Sequence, residues 1–234
     1  MSSKKIAIIS TSASNYEKAG YRTGLWLGEL THFYDVVEAA GFEPVIFSVQ
    51  GGDIPIDPES LGAQWLAELG TDKRYADRAF MNRMLQTRAV DAVDPSEFAA
   101  IYLAGGHGCM FDFAQSEPLA DLIRRFSEAG KVVSAVCHGP CGLLNVKLSN
   151  GDYLLKGKKA TGFSWAEEEL AQREQAVPYS LEDEMRQRGA DYQLADEPFS
   201  PYVVADGLLI TGQNPGSAAA VGHAVVQALG KDAS

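Results

Sequence analysis

Apolar positions along the chain fall into short solid runs separated by amphipathic stretches. Residues 6–10, 44–49, 99–104 and 132–136 are too short for helices and too continuous for strands with one wet face, so they predict strands buried on both sides. Between them, residues 25–39 and 118–129 carry apolar side chains at helical spacing, the first stretch closed by Gly41. This alternation is the pattern of βα units around a mostly parallel sheet. It breaks once. From Gly51 to Pro95 the chain holds the turn cluster Gly51-Gly52-Asp53-Ile54-Pro55 and two helix-like stretches, 59–69 and 72–87, which predict a helical insertion at about 51–95 on one edge. Downstream, 159–162 predicts a short strand, 166–172 and 181–188 predict helices, and the Asp206-Gly207 pair predicts a hairpin. A last helix over 215–229 takes Asn214 as its N-cap. Residues 1–234 are expected to form a single domain.

Charge narrows the partners. A net charge of −11 argues against nucleic acid or an anionic membrane surface, both of which need clustered Lys and Arg. No apolar run approaches a membrane span, and Lys4-Lys5 lead directly into the strand-like 6–9, too short for a signal-peptide core, so the cytoplasm is the expected compartment. Three cysteines without a repeated CxxC spacing predict reduced thiols and neither a disulfide framework nor a metal site. His32 and His223 likewise have no metal spacing and read as structural or surface residues.

The candidate chemistry centres on Cys137. The strand 132–136 stops on this thiol and turns at once into His138-Gly139-Pro140, a sharp elbow that aims a nucleophile at a crevice. A helix N-terminus there favours thiolate, and the neighbouring imidazole can act as base. His138 needs an orienting acid, and Glu167-Glu168-Glu169 supplies the candidates; consecutive helical positions fan out around the axis, so one at most is expected to face inward. Gly105-Gly106-His107-Gly108 follows another strand and lacks the third glycine of a dinucleotide fingerprint, so no cofactor is expected; it is either an N–H donor to a reacting oxygen or a plain tight turn. His107 and Cys109 are candidate pocket residues, and Cys141, one helical turn past Cys137, is expected to face the sheet. Glu29 lies amid Leu25, Leu27 and Leu30, either as a solvated stripe-edge residue or as a buried, protonated acid.

Taken in order, Gly105-Gly106-His107-Gly108, Ala135-Val136-Cys137-His138-Gly139-Pro140, Thr161-Gly162-Phe163 with its following glutamates, and Thr211-Gly212-Gln213-Asn214-Pro215 resemble the ThiJ/PfpI superfamily. The likeness is to its heat-shock chaperone and glutathione-independent glyoxalase (glyoxalase III) branch and covers nearly the whole chain. It implies a flavodoxin-like sandwich, with helices on both faces of the sheet, and a homodimer. It implies roles as well: Cys137 as nucleophile, His138 as its partner, Glu168 as the acid orienting the histidine, Glu29 as a protonated carboxyl touching the thiol, and the N–H groups of Gly106 and His138 as an oxyanion site. The activity implied is conversion of methylglyoxal and related 2-oxoaldehydes to 2-hydroxy acids, with no cofactor or metal. A holdase chaperone acting on unfolded clients is the second reading, resting on a patch of Trp65, Leu66, Leu69 and Phe80; the preferred reading of those four residues is that they pack the insertion's own helices. Deglycation, isocyanide hydration, cysteine peptidase chemistry and redox sensing use the same scaffold.

Overall fold

The structure, a computed structural model, describes residues 4–68 and 70–231. Its centre is a seven-stranded sheet in the order β3-β2-β1-β4-β5-β9-β8: β1 (Lys5–Ser10), β2 (Glu43–Ser48), β3 (Arg88–Ala89), β4 (Phe98–Leu103), β5 (Val132–Val136), β8 (Val203–Asp206) and β9 (Leu209–Gly212). All pairs are parallel except β8 with β9, the hairpin that turns at Asp206-Gly207. The arrangement is a flavodoxin-like α/β sandwich, and β6 (Lys159–Ala160) pairs with β7 (Asp191–Tyr192) in a separate parallel ribbon.

The two faces of the sheet divide the apolar residues. Ile6, Ile8, Ala100, Tyr102, Val132 and Val136 look toward α1 (Leu27–Ala39) and the C-terminal helix Ala218–Lys231. Ala7, Ile9, Ile101, Leu103, Val133 and Ala135 look toward the helix Glu117–Glu128 on the other side. Strict alternation with both faces apolar is why these segments read as unbroken hydrophobic runs. Ser134, the one polar residue within β5, donates its hydroxyl to the Ile101 carbonyl at 2.9 Å, so its burial leaves no orphan.

Chain order reverses about β1: β2 lies on one side and β4 on the other. The loops that leave the carboxyl ends of β1, β4 and β5 therefore open on a common crevice, the place where ligands bind in open α/β sheets.

Four elements differ from expectation. The 72–87 stretch is not one helix: Asp77 is extended and caps a new turn, accepting from the N–H groups of Ala79 and Phe80, so Asp72–Ala76 and Arg78–Met81 are separate. The chain then adds β3 at the sheet edge, too short at two residues to show a period. The short strand expected over 159–162 forms only over Lys159–Ala160 and pairs with Asp191–Tyr192 outside the central sheet. Asn214 is no side-chain N-cap; its amide donates to Glu167 and to the Ser200 carbonyl, and Pro215–Ser217 forms a 3-10 turn before the helix begins. Among the described residues, no helix is long and apolar enough to cross a membrane.

Candidate active site

Cys137 closes β5 with φ of 57°, the left-handed region that a residue bearing a Cβ enters at a cost of roughly 1–2 kcal/mol. Its backbone is held there from both sides. The Cys137 N–H donates to the Gly212 carbonyl at 2.9 Å, and the Cys137 carbonyl accepts from the Phe163 N–H at 2.8 Å. The strand-end elbow predicted from sequence is thus clamped between β9 and the Thr161-Gly162-Phe163 turn, and these two flanking motifs have a mechanical reason to exist.

Gly105 fits against this elbow. A Cβ on it would lie 2.4 Å from a Glu29 carboxyl oxygen, 2.6 Å from the Val136 carbonyl and 2.9 Å from the His138 nitrogen. Gly106, at φ of 108°, packs as closely on the 24–26 backbone, where a Cβ would meet the Gly24 carbonyl at 2.3 Å. Only glycines let the two loops approach this far. The N–H groups of Gly106 and His138 make no hydrogen bond among the described residues, whereas that of Gly105 donates to Glu29 at 2.8 Å.

The side chains converge. His138 Nδ1 is 3.3 Å from Cys137 Sγ, and His138 Nε2 donates to Glu168 Oε2 at 2.9 Å. His107 Nε2 donates to the other carboxylate oxygen, Glu168 Oε1, at 2.6 Å. Phe163 lies over the His138 ring with centroids 4.6 Å apart. Glu29 is fully buried in the first turn of α1, with the Cys137 thiol as a neighbour; its Oε2 accepts from the Gly105 N–H, and its Oε1 has no hydrogen-bond partner among the described residues.

Electrostatics assigns charge within the cluster. Burial pushes the Glu29 carboxyl up to about 8, against the adjoining Cys137 thiol and the Gly105 N–H, so it is a neutral acid at pH 7. Burial alone would raise Glu168 too, but the two facing imidazoles hold it well below the usual carboxylate range. Burial lowers His138, and the neighbouring His107 lowers it further, against Glu168, so His138 is a neutral base at pH 7. Burial raises the Cys137 thiol, and an ionised Glu29 would raise it more. Burial and the neighbouring acids therefore oppose the expected preformed thiolate, and Gly139–Leu143 after the elbow is a 3-10 turn of five residues rather than a long helix whose dipole would favour it.

Two further expectations change. Glu167 and Glu168 are both buried, where at most one was expected to face inward. Glu167 completes a capping box with Ser164 and accepts from the Phe199 N–H and the Asn214 amide, pinning the first turn of the helix Trp165–Leu170, while Glu168 reaches the histidines and Glu169 stays exposed. Cys109 is not in the pocket. Its thiol donates to the Ala104 carbonyl at 3.3 Å and packs with Met110 and Phe113 in the cluster on the opposite face of the sheet from Cys137. Cys141 joins the same cluster, against Met110.

Sequence reasoning placed His107 only in the pocket wall. Its pairing with Glu168 had one signal, the position of the Gly-Gly-His-Gly turn at the end of the neighbouring strand, which says nothing about the acid it meets. His107, His138 and Glu168 together offer donor atoms within 4.8 Å of one another, a set suited to zinc or iron. The two N···O separations of 2.6 and 2.9 Å are hydrogen-bond lengths, below the spacing of about 3.3 Å set by tetrahedral zinc with bonds near 2 Å. Of the patch suggested for client binding, Phe80 is buried edge-on against Tyr34 and Leu66 is half-buried; Leu69 and the Trp65 side chain lie outside the described residues.

The buried acid gives a stability prediction. Glu29 is raised in the folded protein from 4.5 to about 8, so the native state binds more protons than the unfolded chain in between, and stability falls as pH rises through that window. Glu29→Gln, neutral at every pH, is expected to remove this slope and to exceed the wild type in stability at about pH 8 by an amount on the order of a few kcal/mol. Urea unfolding at about pH 5 and pH 8 checks it; parallel pH dependence in the two proteins would contradict a neutral buried acid.

Comparison with known proteins finds relatives over nearly the whole chain. The DJ-1/PfpI family model matches residues 25–228. The glutathione-independent glyoxalase of Saccharomyces cerevisiae is 29% identical, with 98% of this chain and 99% of the relative covered. Among solved structures, the 24 kDa Rapid Encystment Protein of Francisella tularensis superposes with a TM-score of 0.90 at 36% identity, covering 98% of this chain and 99% of that one. Glyoxalase III from Candida albicans superposes with a TM-score of 0.86 at 27% identity, covering 96% of each.

Proposed function

Because the chain belongs to the DJ-1/PfpI family, we propose that it is a glutathione-independent glyoxalase that converts methylglyoxal and related 2-oxoaldehydes to 2-hydroxy acids at Cys137. The observation that carries the reading is one line of contacts: a thiol on a strained elbow, an imidazole 3.3 Å away, and a carboxylate 2.9 Å behind it. Relatives named glyoxalases, similar over their full length, support the substrate class.

Each group has a task set by its charge state. The thiol is protonated in the resting site, so His138 Nδ1 takes its proton as sulfur adds to the aldehyde carbon. Glu168 holds the Nε2–H tautomer and stabilises the imidazolium that forms. The oxygen of the adduct gathers negative charge beside the elbow, where the N–H groups of Gly106 and His138 have no acceptor among the described residues. Glu29, neutral, donates to sulfur whenever it carries charge and avoids the repulsion an ionised acid would bring. The hemithioacetal then rearranges through an enediol to a thioester, and water releases the 2-hydroxy acid and restores the thiol. The same reading takes a homodimer in the cytoplasm as the working form.

Purified protein freed of glutathione is expected to consume methylglyoxal and yield lactate in equal amount. Aldehyde loss without lactate, or lactate only on adding glutathione, would overturn the proposal.

A further inference from the structure

We propose that His107 is a second proton carrier of the site, working on the carbon atoms of the substrate while His138 works on the sulfur; the inference rests on the glyoxalase reading above. Converting a 2-oxoaldehyde to a 2-hydroxy acid asks for two separable proton movements. One leaves the thiol as the S–C bond forms. The other leaves the aldehyde carbon and ends on the adjacent carbon. A single imidazole held against sulfur is poorly placed for both.

The geometry supplies two equivalent histidines on one acid. Glu168 accepts Nε2–H from His107 through Oε1 and from His138 through Oε2, at 2.6 and 2.9 Å. Both imidazoles are thereby fixed in the same tautomer, with the lone pair on Nδ1. His138 directs that lone pair at Sγ, 3.3 Å away. Nδ1 of His107 makes no hydrogen bond among the described residues, and the His107 ring is the more exposed of the two, at 6% against 1%. The rings lie 4.2 Å apart between centroids, so the two imidazoles are immediate neighbours in the site. One carboxylate faces both, so the cluster accommodates one imidazolium readily and a second poorly, in keeping with the lowering of His138 by His107. A proton taken by His138 from sulfur must therefore pass to the substrate oxygen before His107 takes another.

The steps balance without an oxidant. Sulfur bonds to the aldehyde carbon, and the thiol proton moves through His138 to the aldehyde oxygen. His107 Nδ1 removes the hydrogen of that carbon as a proton; its electron pair forms the carbon–carbon double bond, and the proton of the hydroxyl on the sulfur-bearing carbon passes through His138 to the ketone oxygen, giving the enediol as its monoanion. The proton on His107 returns to the former ketone carbon as the oxygen left on the sulfur-bearing carbon forms its C=O bond, leaving a thioester. Water cleaves the C–S bond, giving the acid and the thiol.

His107→Gln tests this, because glutamine keeps a donor toward Glu168 but cannot accept a carbon-bound proton. The readouts are lactate formation from methylglyoxal and alkylation of Cys137 by iodoacetamide, taken on wild type, His107→Gln and His138→Gln across pH. His107→Gln is expected to alkylate within about twofold of wild type yet lose about a hundredfold or more in lactate formation, while His138→Gln loses both. His107→Asn guards against a local packing fault and is expected to behave like His107→Gln. Lactate formation near the wild-type rate in either His107 variant overturns the relay and leaves the glyoxalase reading standing. Impaired alkylation and lactate formation in equal proportion in both His107 variants overturns it as well, since His107 would then serve only to shape the thiol site. A wild type that makes no lactate overturns the reading itself, and the relay with it.

Discussion

Cys137→Ala is expected to reduce lactate formation from methylglyoxal to the uncatalysed background, a loss of about ten-thousandfold or more, because no other group in the site can hold the substrate covalently. The remaining thiols do not substitute. Cys109 and Cys141 lie in the core cluster on the other face of the sheet, and burial pushes Cys141 up to about 12. The fold should survive. Alanine inherits the φ of 57° that cysteine already tolerates, and the backbone clamp from Gly212 and Phe163 uses no side-chain atom, so the cost is that of one small buried group, about 1–2 kcal/mol. Lactate assay together with circular dichroism separates the two outcomes. An inactive, folded variant is the expected result, and retained turnover would remove Cys137 from the chemistry.

Glu168→Gln is expected to lower the rate by about a thousandfold while keeping the side-chain shape. The carboxylate accepts two N–H groups, one from each histidine. Glutamine offers one acceptor and one NH2, so one imidazole must face donor to donor or change tautomer. If His138 changes, its Nδ1 carries the hydrogen and no longer accepts from sulfur. The charge balancing an imidazolium is lost in either case, and an unmet buried donor costs about 1–3 kcal/mol in stability. The pH signature is specific. Glu168 lies below the ordinary carboxylate range when folded, so the stability it contributes is present above its unfolded value and is lost as pH falls toward its folded one. The variant is expected to lack that acid-side loss. Urea titrations of both proteins between about pH 3 and pH 7 check it.

Much of this site was legible before any coordinates. A continuous apolar run that ends on cysteine announces a buried strand with a nucleophile at its tip, and the β5 elbow is such a place. Fold class followed from runs buried on both faces, because alternation of such runs with amphipathic stretches has few other solutions. What escaped depended on long-range pairing. Asn214 reads as a helix cap by local rules, but its amide spans 47 positions to hold Glu167, and no local pattern encodes that partner. Glu167 and Glu168 both turn inward because helix capping and histidine pairing draw two neighbours toward different partners, which a rule for exposed helices does not anticipate. The 72–87 stretch divides at Asp77 because a short acid competes well for N–H groups two and three residues ahead. Cys109 follows the glycine turn in sequence, yet the short helix Cys109–Asp112 carries its thiol to the far side of the sheet.

The central claim is that substrate carbon becomes bonded to the Cys137 sulfur during turnover, and the most direct test is to catch that bond. Wild-type protein turning over methylglyoxal is quenched in acid at successive times, digested and mapped by mass spectrometry, while lactate is measured in the same samples. The account predicts that fragmentation of the peptide containing Cys137 and Cys141 places the three-carbon adduct on Cys137 during turnover, that the adduct is lost when substrate is exhausted, and that Cys109 and Cys141 stay unmodified. Lactate accumulating while the Cys137 peptide stays unmodified at every quench time, in protein whose turnover also survives prior alkylation of Cys137, would contradict it.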